Sequence, residues 1–136
     1  MATIELNVGF NNHDALGEER VNEVLNARAH LLRSMLHRLD ADSVNVRRKE
    51  SVYTGPEGEA TEQTLVVRAV GIPVANLPEL SQVLYAIAEE WREDCIAVYT
   101  DAYQAGGSGF LVGPKAESWG RFNREFFTTF EEAVSC

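Results

Sequence analysis

The first ten residues of the chain alternate between apolar and polar positions. Ile4, Leu6, Val8 and Phe10 would share one face of an extended segment. A period of two is typical of a strand that is buried on one face. The segment 11–14, Asn-Asn-His-Asp, consists of turn-forming and capping residues, so we expect the strand to end there.

A helical period replaces the alternation between Glu18 and Leu39. Acidic residues open this segment, where the positive end of the helix dipole stabilises them. The apolar residues recur mostly at spacings of three and four, which predicts an amphipathic helix of about six turns. They are Val21, Val24, Leu25, Leu32, Met35, Leu36 and Leu39.

Two strands joined by a turn are predicted next. The first is Val44–Tyr53, and the segment 54–58, Thr-Gly-Pro-Glu-Gly, has turn chemistry throughout. The second is Gln63–Val70, whose centre carries three consecutive apolar residues. That run indicates burial on both faces of a sheet. Its members are Leu65, Val66 and Val67.

A second helix and a hairpin follow. The segment 76–79, Asn-Leu-Pro-Glu, resembles a capping box with proline in the first turn, so it predicts a helix start. A strand at Cys95–Tyr99 is then joined by the glycine-rich segment 104–109 to a return strand at Phe110–Val112. The apolar face of the helix consists of Leu80, Val83, Leu84, Ile87 and Trp91.

The order of these elements predicts the fold class. The sequence β-α-β-β-α-β is that of the ferredoxin-like, split βαβ arrangement, an α+β fold with both helices on one face of an antiparallel sheet. Here a fifth strand and a C-terminal aromatic helical segment extend it, and we expect a single domain over residues 1–136. The fold constrains function weakly, because it carries enzymes, sensors and binding modules alike.

The C-terminal segment is rich in aromatic residues. Ser118 can cap a helix, and Trp119, Phe122, Phe126 and Phe130 then fall on one stripe. The stripe can pack on the domain's own sheet, or cover a second subunit, or do both. Phe127 lies beside the stripe, so we expect it to be an outward anchor for a partner.

Charge is distributed unevenly along the chain. The net charge is -9, yet residues 20–49 carry seven Lys/Arg against three Asp/Glu, while residues 50–102 carry two against ten. An acidic balance argues against direct nucleic-acid binding, which needs clustered basic groups. Arg47, Arg48 and Lys49 could bind a small anion, but strand alternation would send Arg47 and Lys49 to one face and Arg48 to the other.

No residue set indicates a metal or a cofactor. His30 and His37 are two turns apart on one helix, about 10 Å by the helical rise, too far to share a zinc ion. Cys95 and Cys136 have no metal-ligand spacing, and no triad or phosphate-binding motif is present. We therefore expect no metal, no cofactor and no catalysis. The apolar runs are too short to span a membrane, and we expect a cytoplasmic protein.

The main functional hypothesis is a non-catalytic binding protein. Its acidic and aromatic surface would engage a protein partner whose own surface is basic. Small inhibitors, including phage proteins that counter host defence, offer an analogy for this mode of action. The predicted contact residues are Glu89, Glu90, Glu93, Asp94, Trp119 and Phe127, with further acids in the segment 57–62.

The alternative hypothesis is a small-ligand-binding domain or small enzyme. It would act as a homodimer on the ferredoxin-like sheet, with a pocket between the sheet and the C-terminal segment. The predicted pocket residues are Arg47, Arg48, Tyr53, Tyr99 and Tyr103, together with Trp119.

Overall fold

The computed structural model describes residues 1–55, 57–103, 109–122 and 127–135. It confirms the predicted α+β class: a mostly antiparallel sheet with helices packed on it. The strands are β1 (Ala2–Phe10), β2 (Ser43–Gly55), β3 (Gly58–Ile72), β4 (Ile96–Thr100), β5 (Gly109–Val112) and β6 (Phe127–Thr129). The α-helices are α1 (Glu18–Arg38), α2 (Leu77–Glu90), α3 (Ala116–Phe122) and α4 (Phe130–Ser135).

The six strands form one sheet in the order β2-β3-β1-β4-β5-β6. The first five are antiparallel to their neighbours, and β6 pairs in parallel with β5. The order of the first four strands is compatible with the ferredoxin-like arrangement. Because β1 lies between β3 and β4, both of its edges are paired and it is an interior strand of the sheet.

Helices α1 and α2 cover one face of the sheet. The alternation predicted for β1 is observed, since Ile4, Leu6 and Val8 point into the core on this face. The helices meet them with the predicted apolar stripes, which follow from the helical period of the sequence. The fully buried helix residues include Leu25, Leu32, Leu36, Leu77, Leu80 and Leu84.

In the described part of the chain, no long helix lies on the opposite face of the sheet. Residues directly opposite each other in antiparallel strands share a face, so Asn7 in β1 lies on this face beside Val66 in β3 and Ala97 in β4. Val66 is only 2% exposed, as its place in the three-residue apolar run predicted. The short helix α3 covers part of this face through Ala116, which packs on Ala97 and Leu111.

The start of α2 differs in detail from the prediction. Asn76 precedes the helix, but its side chain makes no capping hydrogen bond. Its Nδ2 donates instead to the backbone oxygen of Leu39, at 3.0 Å, just after α1. The side chain therefore ties the two helices together. A long-range acceptor was available, and a local sequence motif could not show it.

The prediction of one continuous aromatic helix near the C-terminus is wrong. Helix α3 begins at Ala116, before Ser118, and the strand β6 separates it from α4. The aromatic spacing fitted a helix, but the backbone of β6 pairs with β5 and covers an otherwise open sheet edge. Phe126 lies outside the described residues.

Phe130 nevertheless belongs to the core. It is 0% exposed and packs against the rings of Phe110 and Tyr103, with centroid distances of 5.8 and 6.3 Å. The C-terminal segment is therefore an integral part of the fold. Within the ranges that the structure describes, no helix is both long and apolar enough to cross a bilayer.

Candidate functional site

A pocket of about 520 Å³ opens on the face of the sheet that α1 and α2 leave uncovered. Its base lies across the strands β2, β3, β1, β4 and β5, and α3 with the segment before β4 forms one side. A site of this size suits a small molecule. The lining residues are Asn7, Gly9, Asn11, Lys49, Glu50, Ser51, Val52, Glu62, Glu93, Asp94, Cys95, Ala97, Tyr99, Leu111 and Trp119.

Strand alternation places the residues at the base of the pocket. Asn7 and Gly9 take the positions of β1 that face away from the core, and Gly9 has no side chain to fill the space above it. Thr64 lies opposite both Gly9 and Lys49 in the strand pairing, so it connects β1 with β2 across this face. Positions that looked like the solvent side of a sheet therefore form the base of a concave site.

Aromatic side chains form part of the wall. The indole Nε1 of Trp119 donates a hydrogen bond to Oδ2 of Asp94 at 2.8 Å. Tyr99 passes close to the backbone of Gly109, where an added Cβ would lie 2.8 Å from two atoms of the tyrosine ring. Both residues contact the small cluster formed by α3 and the sheet. The two rings are thus held by particular neighbours within the fold.

Glu93 is the most buried acid in the wall, with 7% exposure. Its Oε1 accepts hydrogen bonds from the backbone N–H of Asn11 at 3.0 Å and from Nη1 of Arg28 at 3.1 Å. The guanidinium of Arg28 lies over the rings of Phe10 and Trp91, at 5.0 and 4.6 Å from their centroids. These contacts fix the position of the carboxylate.

Burial changes the proton affinity of two of the acids. It raises the pKa of Glu93 to about 7, although the hydrogen bonds from Asn11 and Arg28 act in the opposite direction. Burial also raises the pKa of Glu62, and the nearby charge of Asp94 adds to that effect. Carboxylates gathered in a partly desolvated concavity favour a cationic ligand, which relieves their mutual repulsion.

Cys95 is not a nucleophile in this setting. Burial, followed by the charges of Asp94, Glu62 and Glu93, raises the pKa of the thiol to about 12. At neutral pH the thiol is therefore protonated, and the thiolate is the reactive form. The carboxylates and the aromatic rings are therefore the groups of the pocket best suited to contact a ligand.

Two polar atoms that line the pocket have no partner among the described residues. The Oδ1 of Asn7 and the Oγ of Ser51 are buried, and neither has a hydrogen-bond partner in the part of the chain described. Buried polar groups in folded proteins are nearly always paired. A ligand that offers a donor to Asn7 and an acceptor or donor to Ser51 would satisfy both atoms.

The predicted acidic contact surface is divided by the structure. Glu89 and Glu90 are exposed at the end of α2, and Asp94 and Trp119 lie together in the pocket wall. The expectation that Glu93 belongs to an exposed surface is wrong, because its carboxylate is buried against Arg28. For Phe127 the structure gives the backbone pairing with Gly109 and nothing of the side chain.

The residues predicted for the alternative pocket are also divided. Tyr99 lines the observed pocket, whereas Arg47 forms an ion pair with Glu5 at 3.7 Å and does not line it. As alternation predicted, Arg48 lies on the other face, where its Nη2 donates to Asn22 of α1 at 2.9 Å.

The two other tyrosines of that set do not help to define the pocket. Placing Tyr103 in the pocket is wrong, because its ring packs into the core against Phe110 and Phe130. The backbone of Tyr53 pairs with Ala60, and its side chain lies outside the description. The dimeric state in the alternative hypothesis stays a prediction.

Asn7 and Ser51 were not predicted from the sequence as ligand contacts. Lys49 was considered only as part of a basic cluster that could bind a small anion. The available signal was weak: each is a polar residue on the outward phase of a strand, where polar residues are ordinary. Only the strand register brings β1 and β2 to one pocket.

No protein-family model and no curated protein matches the sequence. Two solved structures share the fold. One is a phage SAM lyase in its apo state, with a TM-score of 0.50 and 16% identity over 74% of this chain and 78% of that chain. The other is a phage SAM lyase in complex with S-methyl-5'-thioadenosine, with a TM-score of 0.52 and 15% identity over 74% and 79% of the two chains.

These comparisons contradict the main functional hypothesis. Both structures that share the fold are of a phage SAM lyase, one of them in complex with S-methyl-5'-thioadenosine, which argues against a non-catalytic inhibitor that acts by protein contact. They favour the alternative hypothesis of a small-ligand-binding protein or small enzyme.

Proposed function

We propose that this protein is a small enzyme that binds S-adenosylmethionine in the pocket above β1 and β2 and cleaves one of its carbon–sulfur bonds. The observation that carries the proposal is the pocket itself, a concave site with acidic and aromatic walls and two polar atoms that have no hydrogen-bond partner in the described chain. The fold shared with a SAM lyase that binds S-methyl-5'-thioadenosine supports the same ligand class.

The charge of the pocket suits this ligand. S-adenosylmethionine carries a sulfonium, an ammonium and a carboxylate, so its net charge is positive. Four carboxyl side chains and one lysine line the pocket. Carboxylates and aromatic faces both attract a cation, and an aromatic wall can also stack on a purine. The walls near Trp119 and Tyr99 would hold the nucleoside.

The cleavage needs no second substrate. One carbon–sulfur bond breaks, and its electron pair stays on sulfur, which becomes a neutral thioether. The carbon that loses sulfur forms a new bond within its own fragment. Loss of a neighbouring proton to a base gives a carbon–carbon double bond, and attack by the fragment's own carboxylate gives a carbon–oxygen bond. Both routes balance without water, an oxidant or a reductant, as expected of a lyase.

The pocket residues can be given roles in this scheme. The positive charge on sulfur fades in the transition state, so carboxylates near it stabilise bound substrate more than the transition state. We therefore assign Glu62 and Asp94 to binding and positioning. Glu93, with a pKa of about 7, is the candidate proton acceptor if the proton-loss route operates.

The test is product formation with a matched pair of variants. Purified protein is incubated with S-adenosylmethionine, and mass spectrometry follows the release of S-methyl-5'-thioadenosine. Glu62→Gln removes a charge from the pocket and should lower the rate at limiting substrate, whereas Glu59→Gln removes an exposed charge from the same strand and should not. Equal rates for both variants, or no product from the wild type, would contradict the proposal.

A further inference from the structure

Lys49 is an unusual residue in a pocket dominated by acids. It lines the pocket with Glu50, Glu62, Glu93 and Asp94. No ion pair ties its ammonium to a carboxylate of the described residues, whereas Arg28, Arg47 and Arg92 each have one. Lys49 is exposed, and because no described carboxylate pairs with it, its ammonium is available to a ligand anion.

Ser51 supplies a hydroxyl close to this lysine. Residues 49 and 51 are two apart in β2, so their side chains share a face with Cα atoms about 7 Å apart. The Oγ of Ser51 is buried and has no hydrogen-bond partner in the described chain. The extended side chain of Lys49 can reach an anion that this hydroxyl also contacts.

Glu62 lies directly opposite Ser51 in the pairing of β2 with β3. Cross-strand partners of this kind have Cβ atoms about 5 Å apart. A cation, a hydroxyl and a carboxylate are therefore neighbours on one patch of the pocket. An α-amino acid group presents the complementary set, a carboxylate and an ammonium on the same carbon.

We propose that Lys49, Ser51 and Glu62 form a subsite for the amino-acid end of the ligand. Lys49 and Ser51 bind its carboxylate, and Glu62 binds its ammonium. This inference rests on the proposed function and narrows it to ligands that keep a zwitterionic amino-acid group. A phosphate dianion fits less well, because one lysine would have to outweigh four carboxyl groups.

Isothermal titration calorimetry with a set of related ligands tests the subsite, at a temperature and over a time at which mass spectrometry detects no cleavage of S-adenosylmethionine. S-adenosylmethionine has the full amino-acid group, its decarboxylated analogue lacks the carboxylate, and S-methyl-5'-thioadenosine lacks the whole group. Lys49→Met should weaken S-adenosylmethionine binding about tenfold, the expected effect of losing one charge-assisted contact. Binding of the other two ligands to the same variant should change less than about twofold.

Matched controls separate the subsite from general electrostatics. Arg47→Met removes the same charge from the same strand and face, but Arg47 does not line the pocket, so all affinities should stay near the wild-type values. Ser51→Ala should weaken S-adenosylmethionine selectively, whereas Ser43→Ala, at the exposed start of β2, should not. Circular dichroism confirms that each variant is folded.

The outcomes are distinguishable. The subsite is wrong and the proposed function stands if the wild type binds S-adenosylmethionine and S-methyl-5'-thioadenosine and Lys49→Met weakens the binding of both equally. The same holds if Lys49→Met weakens S-adenosylmethionine binding no more than Arg47→Met does. Tighter, Lys49-dependent binding of adenosine monophosphate would replace the amino-acid assignment with a phosphate site. If the wild type binds no member of the set, the proposed function fails, and the subsite fails with it.

Discussion

The indole of Trp119 and the carboxylate of Asp94 are joined by a hydrogen bond of 2.8 Å, from Nε1 to Oδ2. Asp94 precedes β4 and Trp119 lies in α3, so this bond connects the sheet to the short helix that forms one side of the pocket. It also connects an acidic wall residue to an aromatic one. A ligand that contacts the carboxylate of Asp94 should therefore also change the environment of the indole of Trp119.

Trp119 should therefore report ligand binding by fluorescence. The chain contains two tryptophans, and the other, Trp91, is engaged with Arg28 away from the pocket lining. In the Trp91→Phe variant, S-methyl-5'-thioadenosine should change the emission of Trp119 in a saturable way. In the Trp119→Phe variant, the emission of Trp91 should change little. A response carried by Trp91 alone would place the ligand elsewhere.

Glu93 should make the folded state less stable as pH rises. Its pKa is raised from 4.5 to about 7 in the fold, so the native state holds the proton more tightly than the unfolded chain. The contribution to stability is thus most favourable below the unfolded pKa and is lost as pH rises through about 7. Melting temperatures between pH 4.5 and 8 measure this slope.

The slope can be assigned with two variants. Glu93→Gln removes the titrating group, so its melting temperature should change less across this pH range than that of the wild type. The absolute stability of Glu93→Gln is a separate matter, because Arg28 loses its charged partner. Glu89→Gln, at an exposed position, should keep the wild-type slope. Equal slopes for all three proteins would refute the assignment to Glu93.

Gly109 should be required for the position of Tyr99. A Cβ at this position would lie 2.8 Å from the tyrosine ring and 3.0 Å from the backbone oxygen of Val98. Gly109→Ala should therefore displace the ring, cost about 1–3 kcal/mol as overpacking does, and weaken nucleoside binding.

A second glycine provides the control for Gly109. At Gly17 an added Cβ meets no atom within 4 Å, so Gly17→Ala should leave binding unchanged. Thermal melts and ligand titrations compare the two variants. Wild-type affinity in Gly109→Ala would show that Tyr99 does not contribute to the ligand site.

Phe130 tests whether the C-terminal segment is structural. The ring is 0% exposed and contacts Phe110 and Tyr103, so Phe130→Ala should lower the free energy of unfolding by about 3–5 kcal/mol. Leu31→Ala, at a residue 44% exposed on α1, should cost far less. Chemical denaturation measures both. A small loss in Phe130→Ala would mean that the segment is only loosely attached.

The elements that the sequence predicted well are those with a clean local period. Both β1 and α1 bury one face, and burial of one face produces a regular spacing of apolar residues in the sequence. This spacing is visible from Ile4 to Phe10 and between Glu18 and Leu39. The aromatic spacing near Phe130 was misleading, because pairing of β6 with β5 is a long-range interaction that leaves no local period.

The pocket was harder to predict for the same reason. Asn7 and Ser51 belong to strands that are not even adjacent in the sheet, and β3 lies between them. Glu93 looked like one acid among several until the fold placed it against Arg28, 65 residues away in the chain. A polar residue on a strand or helix end does not show by itself whether solvent or a partner lies opposite.

A crystal structure of the protein after incubation with S-adenosylmethionine tests the central claim most directly, because it reports the site and the product together. Our account predicts density for S-methyl-5'-thioadenosine in the pocket, with the nucleoside against Tyr99 and Trp119 and a hydrogen bond to Oδ1 of Asn7, which has no partner in the described chain. Intact S-adenosylmethionine at that place would leave binding correct and contradict cleavage. A nucleoside bound elsewhere, or an empty pocket at saturating ligand, would contradict the account as a whole.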